Sequence, residues 1–345
     1  MHDISENFDS SIKIVGVRNR KVLLKANNLK KYFPIKSGLL KKEKRYVKAV
    51  DDVTLEIYEG ETFSLVGESG SGKSTLGRAL LRLHEPNEGD IYFQGTNITN
   101  MTKSEMRKVR RDMQVIYQDP FGSLNPRMKV IDLIAEPLDI NNIVKGKKRE
   151  ARVIELMQLV GLDPSRRNRY SHEFSGGQRQ RIGIARAIAL NPKFILADEA
   201  VSALDVSVQA QVVNLMKDLQ KELGLTYLFI AHGLNIVRYI SDRVGVMYLG
   251  KLVEVGDVED VYRQPAHPYT AALIQTNPTP NPRKRTEKVI LKGEIPSPSN
   301  PPSGCRFHTR CPIATDRCKV DSPALEQVSP GRLVACHYPL VTTSI

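Results

Sequence analysis

The stretch Gly67-Glu68-Ser69-Gly70-Ser71-Gly72-Lys73-Ser74-Thr75 constrains the fold of this 345-residue chain more than any other. It follows the apolar run Thr62 to Val66 and leads into Leu76-Gly77-Arg78-Ala79-Leu80, so a strand, a glycine loop and a helix start succeed one another. That order suits a phosphate cradle. The glycines let the backbone turn until successive N–H groups converge on phosphate oxygens, and the helix start adds unpaired donors and a favourable dipole. Within the binding stretch Gly67, Ser69, Gly70, Gly72, Lys73, Ser74 and Thr75, Lys73 would reach the β- and γ-phosphates and the Ser74 hydroxyl would ligate Mg²⁺. A glycine loop that only turns a strand into a helix is the plainer alternative, and the context on both sides weighs against it.

The length suits one large domain plus an appendage, or two domains. No apolar run approaches the roughly 18 residues of a membrane span, and Met1 to Asn7 has neither a basic nor an apolar leader region, so a cytosolic chain is expected. The net charge of +13 is carried by scattered clusters such as Lys41–Arg45, Arg107–Arg111, Lys145–Arg149 and Arg283–Arg285. Without interleaved aromatic residues these read as solvated faces near acidic lipid rather than a nucleic-acid groove.

Residues 1–21 read as a loose arm. Leu23 to Ile57 reads as short strands broken by a basic insertion around Ser37–Arg45, and further strands are expected at Ile91–Phe93, Met113–Tyr117, Phe194–Ala197, Thr226–Ile230 and Val244–Tyr248. Several carry apolar residues on both faces, as strands covered by helices do. A helical insertion is expected at about 119–180, with Gly161 closing one of its helices, and a long amphipathic helix from Val206 to Leu223 ends at Gly224. Beyond Gln264 lie 13 of the 20 prolines, so residues 265–345 read as a separate proline-rich appendage.

Four further motifs narrow the class. The apolar strand Phe194 to Ala197 ends in Asp198-Glu199; Asp198 could hold Mg²⁺ and Glu199 could polarise an attacking water. Ser175-Gly176-Gly177-Gln178 at a helix start makes a second anion cradle. Gln118 and His232 each stand at a strand end, where alone they would be unremarkable turn or core residues.

Together with Ser202-Ala203-Leu204-Asp205, these motifs resemble those of the ATP-binding cassette (ABC) family in order and spacing, from Leu23 to about Gln264. The resemblance implies an α/β fold: a P-loop NTPase core with a parallel sheet, an antiparallel β-subdomain and a helical subdomain. It implies ATP and Mg²⁺ as ligands and a head-to-tail dimer in which Ser175, Gly177 and Gln178 of one subunit cap the γ-phosphate held by the loop of the other. Gln118 would contact metal and water, Asp205 would face the partner, and His232 would hold Glu199 and the water. A stacking aromatic for adenine is expected among Tyr32, Phe33 and Tyr46, with Tyr46 favoured. Two positions depart from the family pattern: Ala200 where many members have proline, and Gly233 where aspartate is usual.

Within the family, Tyr32–Leu39, Tyr46–Val50, His172–Arg181, Ser202–Gln211, His267–Thr270 and the Pro301–Cys318 tail resemble the F-type ATPase subunit of oligopeptide/dipeptide importers. That implies ATP hydrolysis at the cytoplasmic face of the membrane. The implied partners are a second, related ATPase (a homodimer being the alternative), two membrane permeases and, indirectly, an extracytoplasmic binding protein. A soluble ABC ATPase acting on nucleic acid or ribosomes, and an importer of nickel or glutathione, remain as alternatives. Cys305, Cys311, Cys318 and Cys336 are spaced C-x5-C-x6-C-x17-C, which fits neither zinc ribbons nor ferredoxin runs. Some members of this importer family carry a [4Fe–4S] cluster on four tail cysteines in a context that Gly304–Pro312 matches; zinc and free thiols stay open beside it.

Overall fold

A computed structural model describes residues 20–35, 45–119, 122–231, 233–276 and 293–340. The expected N-terminal arm, save Arg20 and Lys21, most of the basic insertion around Ser37–Arg45, and His232 lie outside the described residues. In chain order the strands and helices are β1 (Val22–Pro34), β2 (Tyr46–Tyr58), β3 (Thr62–Val66), α1 (Lys73–Leu80), β4 (Glu88–Phe93), β5 (Thr96–Asn97), α2 (Lys103–Val109), β6 (Met113–Ile116), α3 (Val130–Ile140), α4 (Lys147–Leu159), α5 (Gly176–Ile188), β7 (Phe194–Asp198), α6 (Val206–Leu223), β8 (Thr226–Ile230), α7 (Leu234–Ile240), β9 (Arg243–Tyr248), β10 (Lys251–Asp257), α8 (Val258–Arg263), α9 (Pro268–Gln275), α10 (Asp316–Val320), β11 (Glu326–Ser329) and β12 (Arg332–Val334).

The strands form two sheets. One is antiparallel, in the order β2-β1-β4-β5; the other runs β11-β12-β10-β9-β3-β8-β7-β6. In the larger sheet β3 pairs in parallel with β8 and β9, and β7 pairs in parallel with β8 and β6. Every residue of β3, β7 and β8 is buried, as parallel strands with both faces covered must be. One hydrophobic core, including Leu65, Leu76 and Leu196, packs α1 and the antiparallel sheet on one face. Another, including Ile134, Leu156, Ile182 and Val212, packs α3–α6 on the other. The helical insertion is present as α3, α4 and the start of α5; α5 then continues to Ile188.

Two expectations are corrected. Leu23 to Ile57 does not form several short strands but two paired strands of 13 residues each, kinked by register shifts near Asn28 and Asp52, which take left-handed φ of 46° and 63°. The tail is also not a separate appendage. β12 pairs with β10 through Glu254↔Val334 and Val255↔Leu333, so the extension adds two strands to the cassette's own sheet.

The knot is Glu254, fully buried on β10. Its carboxylate accepts from Arg332 Nη2 (2.6 Å) and Nε (3.1 Å), and from the backbone N–H groups of Ala266 (3.0 Å) and His267 (2.9 Å). Removing one member of such a pair strands the other charge in a dry site. Arg332→Met should therefore cost about 3–5 kcal/mol in urea unfolding. Adding Glu254→Gln should recover part of that loss, because no unpaired charge then remains.

Candidate nucleotide-binding site

The parallel register sets the site. Ile116↔Ala197, Asp198↔Ile230 and Leu65↔Ile230 lie in step, so Gln118, Asp198-Glu199 and the glycine loop all leave the sheet at one edge. The loop turns at Gly72, which caps α1 at φ 104°; a Cβ there would meet the Ala49 carbonyl oxygen at 2.0 Å. Only glycine fits both demands.

Lys73 opens α1 and is 4% exposed. Its ammonium donates to the carbonyls of Gly67 (2.8 Å) and Glu68 (3.0 Å) and to Ser71 Oγ (3.3 Å). Burial lowers its pKa, opposed by the charges of Glu199, Asp198 and Glu68. Ser69 and Gly70 are exposed; Ser74 and Thr75 on the first turn of α1 are half-buried.

Asp198 ends β7 at 2% exposure. Oδ2 accepts from Arg78 Nη2 (3.0 Å) and Nε (3.2 Å), whereas Oδ1 is buried with no hydrogen-bond partner. A buried carboxylate oxygen left over in this way fits a hydrated cation held between Asp198 and the loop, so the residues present suit Mg²⁺. Sequence reasoning missed Arg78. Its one sequence signal is a basic residue five positions after Lys73, weak on a helix followed by Arg82. Glu199 takes a left-handed φ of 53°, and its carbonyl accepts from Ser202 N (3.1 Å) and Oγ (2.9 Å). A strained non-glycine backbone fixes where this side chain leaves the strand. Gln118 lies two residues beyond β6 and is exposed. Ala200 is buried, and Gly233 starts α7 without the side-chain cap that an aspartate could give.

The second cradle is a capping box. Ser175 Oγ accepts from the Gln178 N–H (3.4 Å) while Gln178 Oε1 accepts from the Ser175 N–H (3.2 Å). Asp205 caps α6, accepting from Val208 N–H (2.9 Å) and Ser207 Oγ (2.7 Å). The two caps touch: a Cβ at Gly177 would lie 2.4 Å from Val208 Cγ1. The structure thus brings the starts of α5 and α6 together, with Ser175 and Asp205 exposed and Gly176, Gly177 and Gln178 half-buried.

Of the three aromatics, Tyr32 donates its hydroxyl to Asp51, and Phe33 packs edge-on against His84 at 5.6 Å. Tyr46 is 39% exposed at the start of β2, three residues before the Ala49 carbonyl that abuts Gly72.

The four cysteines line one cavity with His267, Phe307 and His337. Burial raises the thiol pKa values of Cys305, Cys311 and Cys336, the last to about 11. Among the described residues no three His, Cys, Asp or Glu side chains are gathered to hold a metal ion.

Gly177 offers a test of the packed unit. Gly177→Ala should destabilise the chain by about 1–3 kcal/mol through overpacking. Val208→Ala in the same chain should restore its melting temperature, because the clash is with that side chain.

A family model described as "ABC transporter" matches residues 50–202, and one described as "Oligopeptide/dipeptide transporter, C-terminal region" matches residues 253–318. The chain is 53% identical over 322 residues to the oligopeptide transport ATP-binding protein AppF of Bacillus subtilis (strain 168), covering 92% of this chain and 98% of that protein. Among solved structures it is similar to the dimeric post-hydrolysis state of the ATP-binding cassette MJ0796 bound to ADP and Pi, with a TM-score of 0.60 and 31% identity over 68% of this chain and 99% of that one. It is also similar to cbiO1 from Clostridium perfringens, part of the cbiONQ ABC transporter complex, with a TM-score of 0.61 and 25% identity over 70% of this chain and 91% of that one. The chain belongs to the ABC transporter family, as a single ATP-binding cassette that carries the C-terminal region of the oligopeptide/dipeptide transporters.

Proposed function

We propose that this chain is an ATP-hydrolysing subunit that energises import of oligopeptides or dipeptides. The observation that carries the reading is the single sheet edge at which a buried Lys73, an Asp198 with an unpartnered oxygen and Glu199 converge. The C-terminal region and the relative AppF direct the reading to peptides.

In this reading Lys73 and the N–H groups of Gly70 to Thr75 hold the phosphates, and Tyr46 stacks on the adenine. Ser74, Gln118 and Asp198 hold Mg²⁺, which neutralises phosphate charge when bound. Glu199 polarises the attacking water and His232 keeps both in line. Ser175, Gly177 and Gln178 of a partner cassette cover the γ-phosphate, and Asp205 faces that partner; a related second ATPase is favoured over a homodimer. Among the described residues no helix is long and apolar enough to cross a membrane. In this reading membrane permeases hold the chain at the cytoplasmic face, as its kinship with peptide-transport ATP-binding proteins supports. A groove lined by Leu83, Arg107, Arg111, Tyr117, Glu136 and Ile140 supports docking of the permeases, because it exposes Ile140 at 57% and Tyr117, next in sequence to Gln118, at 44%. An extracytoplasmic binding protein would feed the permeases.

For the cysteine cavity the reading is a [4Fe–4S] cluster on Cys305, Cys311, Cys318 and Cys336, whose role would be to cross-link loops of the extension.

Lys73→Ala should abolish ATP binding, whereas Ser175→Arg should leave binding intact and stop turnover; turnover retained in the second variant would contradict a shared site. The wild-type chain should co-purify with membrane permeases and not with nucleic acid. Protein isolated without oxygen should be brown and contain iron and sulfide; colourless, iron-free protein would remove the cluster.

A further inference from the structure

The C-terminal extension lies across the glycine loop. Arg310 Nη1 donates to Glu68 Oε2 at 2.8 Å and Nη2 to Oε1 at 3.1 Å, a two-pronged pair with the arginine side chain 7% exposed. Glu68 is the second residue of the loop and is held at two more points. Its N–H donates to the Tyr269 hydroxyl (2.8 Å), and its carbonyl accepts from Lys73 Nζ (3.0 Å). One residue therefore joins the extension, α9 and the phosphate-binding lysine.

The groups that hold Glu68 are themselves packed together. The Phe307 ring lies 5.3 Å from both Tyr248 and Tyr269, which are 4.7 Å apart, and the Arg310 guanidinium sits 6.0 Å over Tyr248. At the other side of the loop Arg306 donates to the Leu249 carbonyl and the Asp51 carboxylate. The adjacent Gly250 N–H donates to the Ser71 carbonyl at 2.8 Å. The five residues from Arg306 to Arg310 thus brace the loop near both ends, Arg310 directly and Arg306 through the β9–β10 turn.

We propose that Arg310 is a positioning residue for ATP: by fixing Glu68 it holds the glycine loop open and the Lys73 ammonium in place before nucleotide arrives. The proposal rests on the reading of this loop as the ATP site. A loop with three glycines at positive φ has many conformations to lose on binding, so an external brace lowers that cost. The planar guanidinium fork matches the carboxylate in a way an ammonium does not, so lysine should replace Arg310 only in part.

The test uses the full-length chain assembled with its companion cassette. Arg310→Ala, Arg310→Lys, Glu68→Gln and the double variant Arg310→Ala/Glu68→Gln are compared by turnover against Mg-ATP, by calorimetric ATP binding and by melting temperature. Arg310→Ala should raise the KM and Kd for ATP by about tenfold, the scale of one or two charge-assisted hydrogen bonds, with kcat changed by less than about twofold. Arg310→Lys should fall between it and wild type. Glu68→Gln should resemble Arg310→Ala, and the double variant should be no worse than either, because both act through one contact. A lowered melting temperature with unchanged ATP affinity would overturn the proposal, leaving Arg310 as a docking contact only. Additive losses in the double variant would overturn it too. If Arg310→Ala does not fold, Arg310→Lys and Glu68→Gln carry the same comparison. Failure of the wild-type chain to bind ATP would sink the nucleotide reading itself and is separable from these outcomes.

Discussion

β3, β8 and β7 are five residues each, buried throughout and paired in parallel, and their carboxyl ends are level at Leu65, Ile230 and Asp198. Parallel strands cannot be joined by tight turns, so each chain must leave this edge into a loop and helix before returning. The glycine loop after β3, the carboxylates after β7 and the segment after β8 are thereby forced into one place. Lys73 and Asp198 are both nearly excluded from water there, and each is held by partners within reach of the same edge: loop oxygens for the ammonium, Arg78 for one carboxylate oxygen. The oxygen left over on Asp198 sets the edge apart from a closed ion pair and supports the proposed cation site.

The half of the machinery that faces outward is built differently. Ser175 and Asp205 are exposed caps, satisfied by their own helices, and those helices pack closely where Gly177 admits Val208. An exposed serine cap at a helix start suits the proposed recognition of a phosphate held by another chain. The extension works on the inward half: Arg332 ties it into the sheet through Glu254, and Arg306 and Arg310 press it on the loop. Fold and site share one set of buried ion pairs.

The glycine loop, the strand ending in Asp198-Glu199, the Ser175 cap and α6 up to Gly224 were legible in the sequence because each is specified by neighbouring residues: a turn, a cap, a period or a stop. Arg78–Asp198, Glu254–Arg332 and Glu68–Arg310 were not, since their partners lie 120, 78 and 242 positions apart and a charge in the sequence carries no mark of burial. The same holds for Gly177, whose place in a motif was plain but whose packing reason, Val208, sits on another helix. β1 and β2 were underestimated because Asn28 and Asp52 break the alternation with left-handed backbone that the pairing tolerates as bulges. The tail read as separate because its prolines are local and conspicuous, whereas three paired residues of β12 are neither.

The central claim is that the loop holding Lys73 is half of a site completed by Ser175–Gln178 of a partner cassette. Sedimentation of the full-length Glu199→Gln chain, alone and mixed with its companion cassette, tests it most directly. The account predicts that Mg-ATP converts one of these samples to a dimer and that ADP does not. A mass that stays monomeric in both samples with ATP, while the wild-type chain still hydrolyses ATP through Lys73, would contradict it.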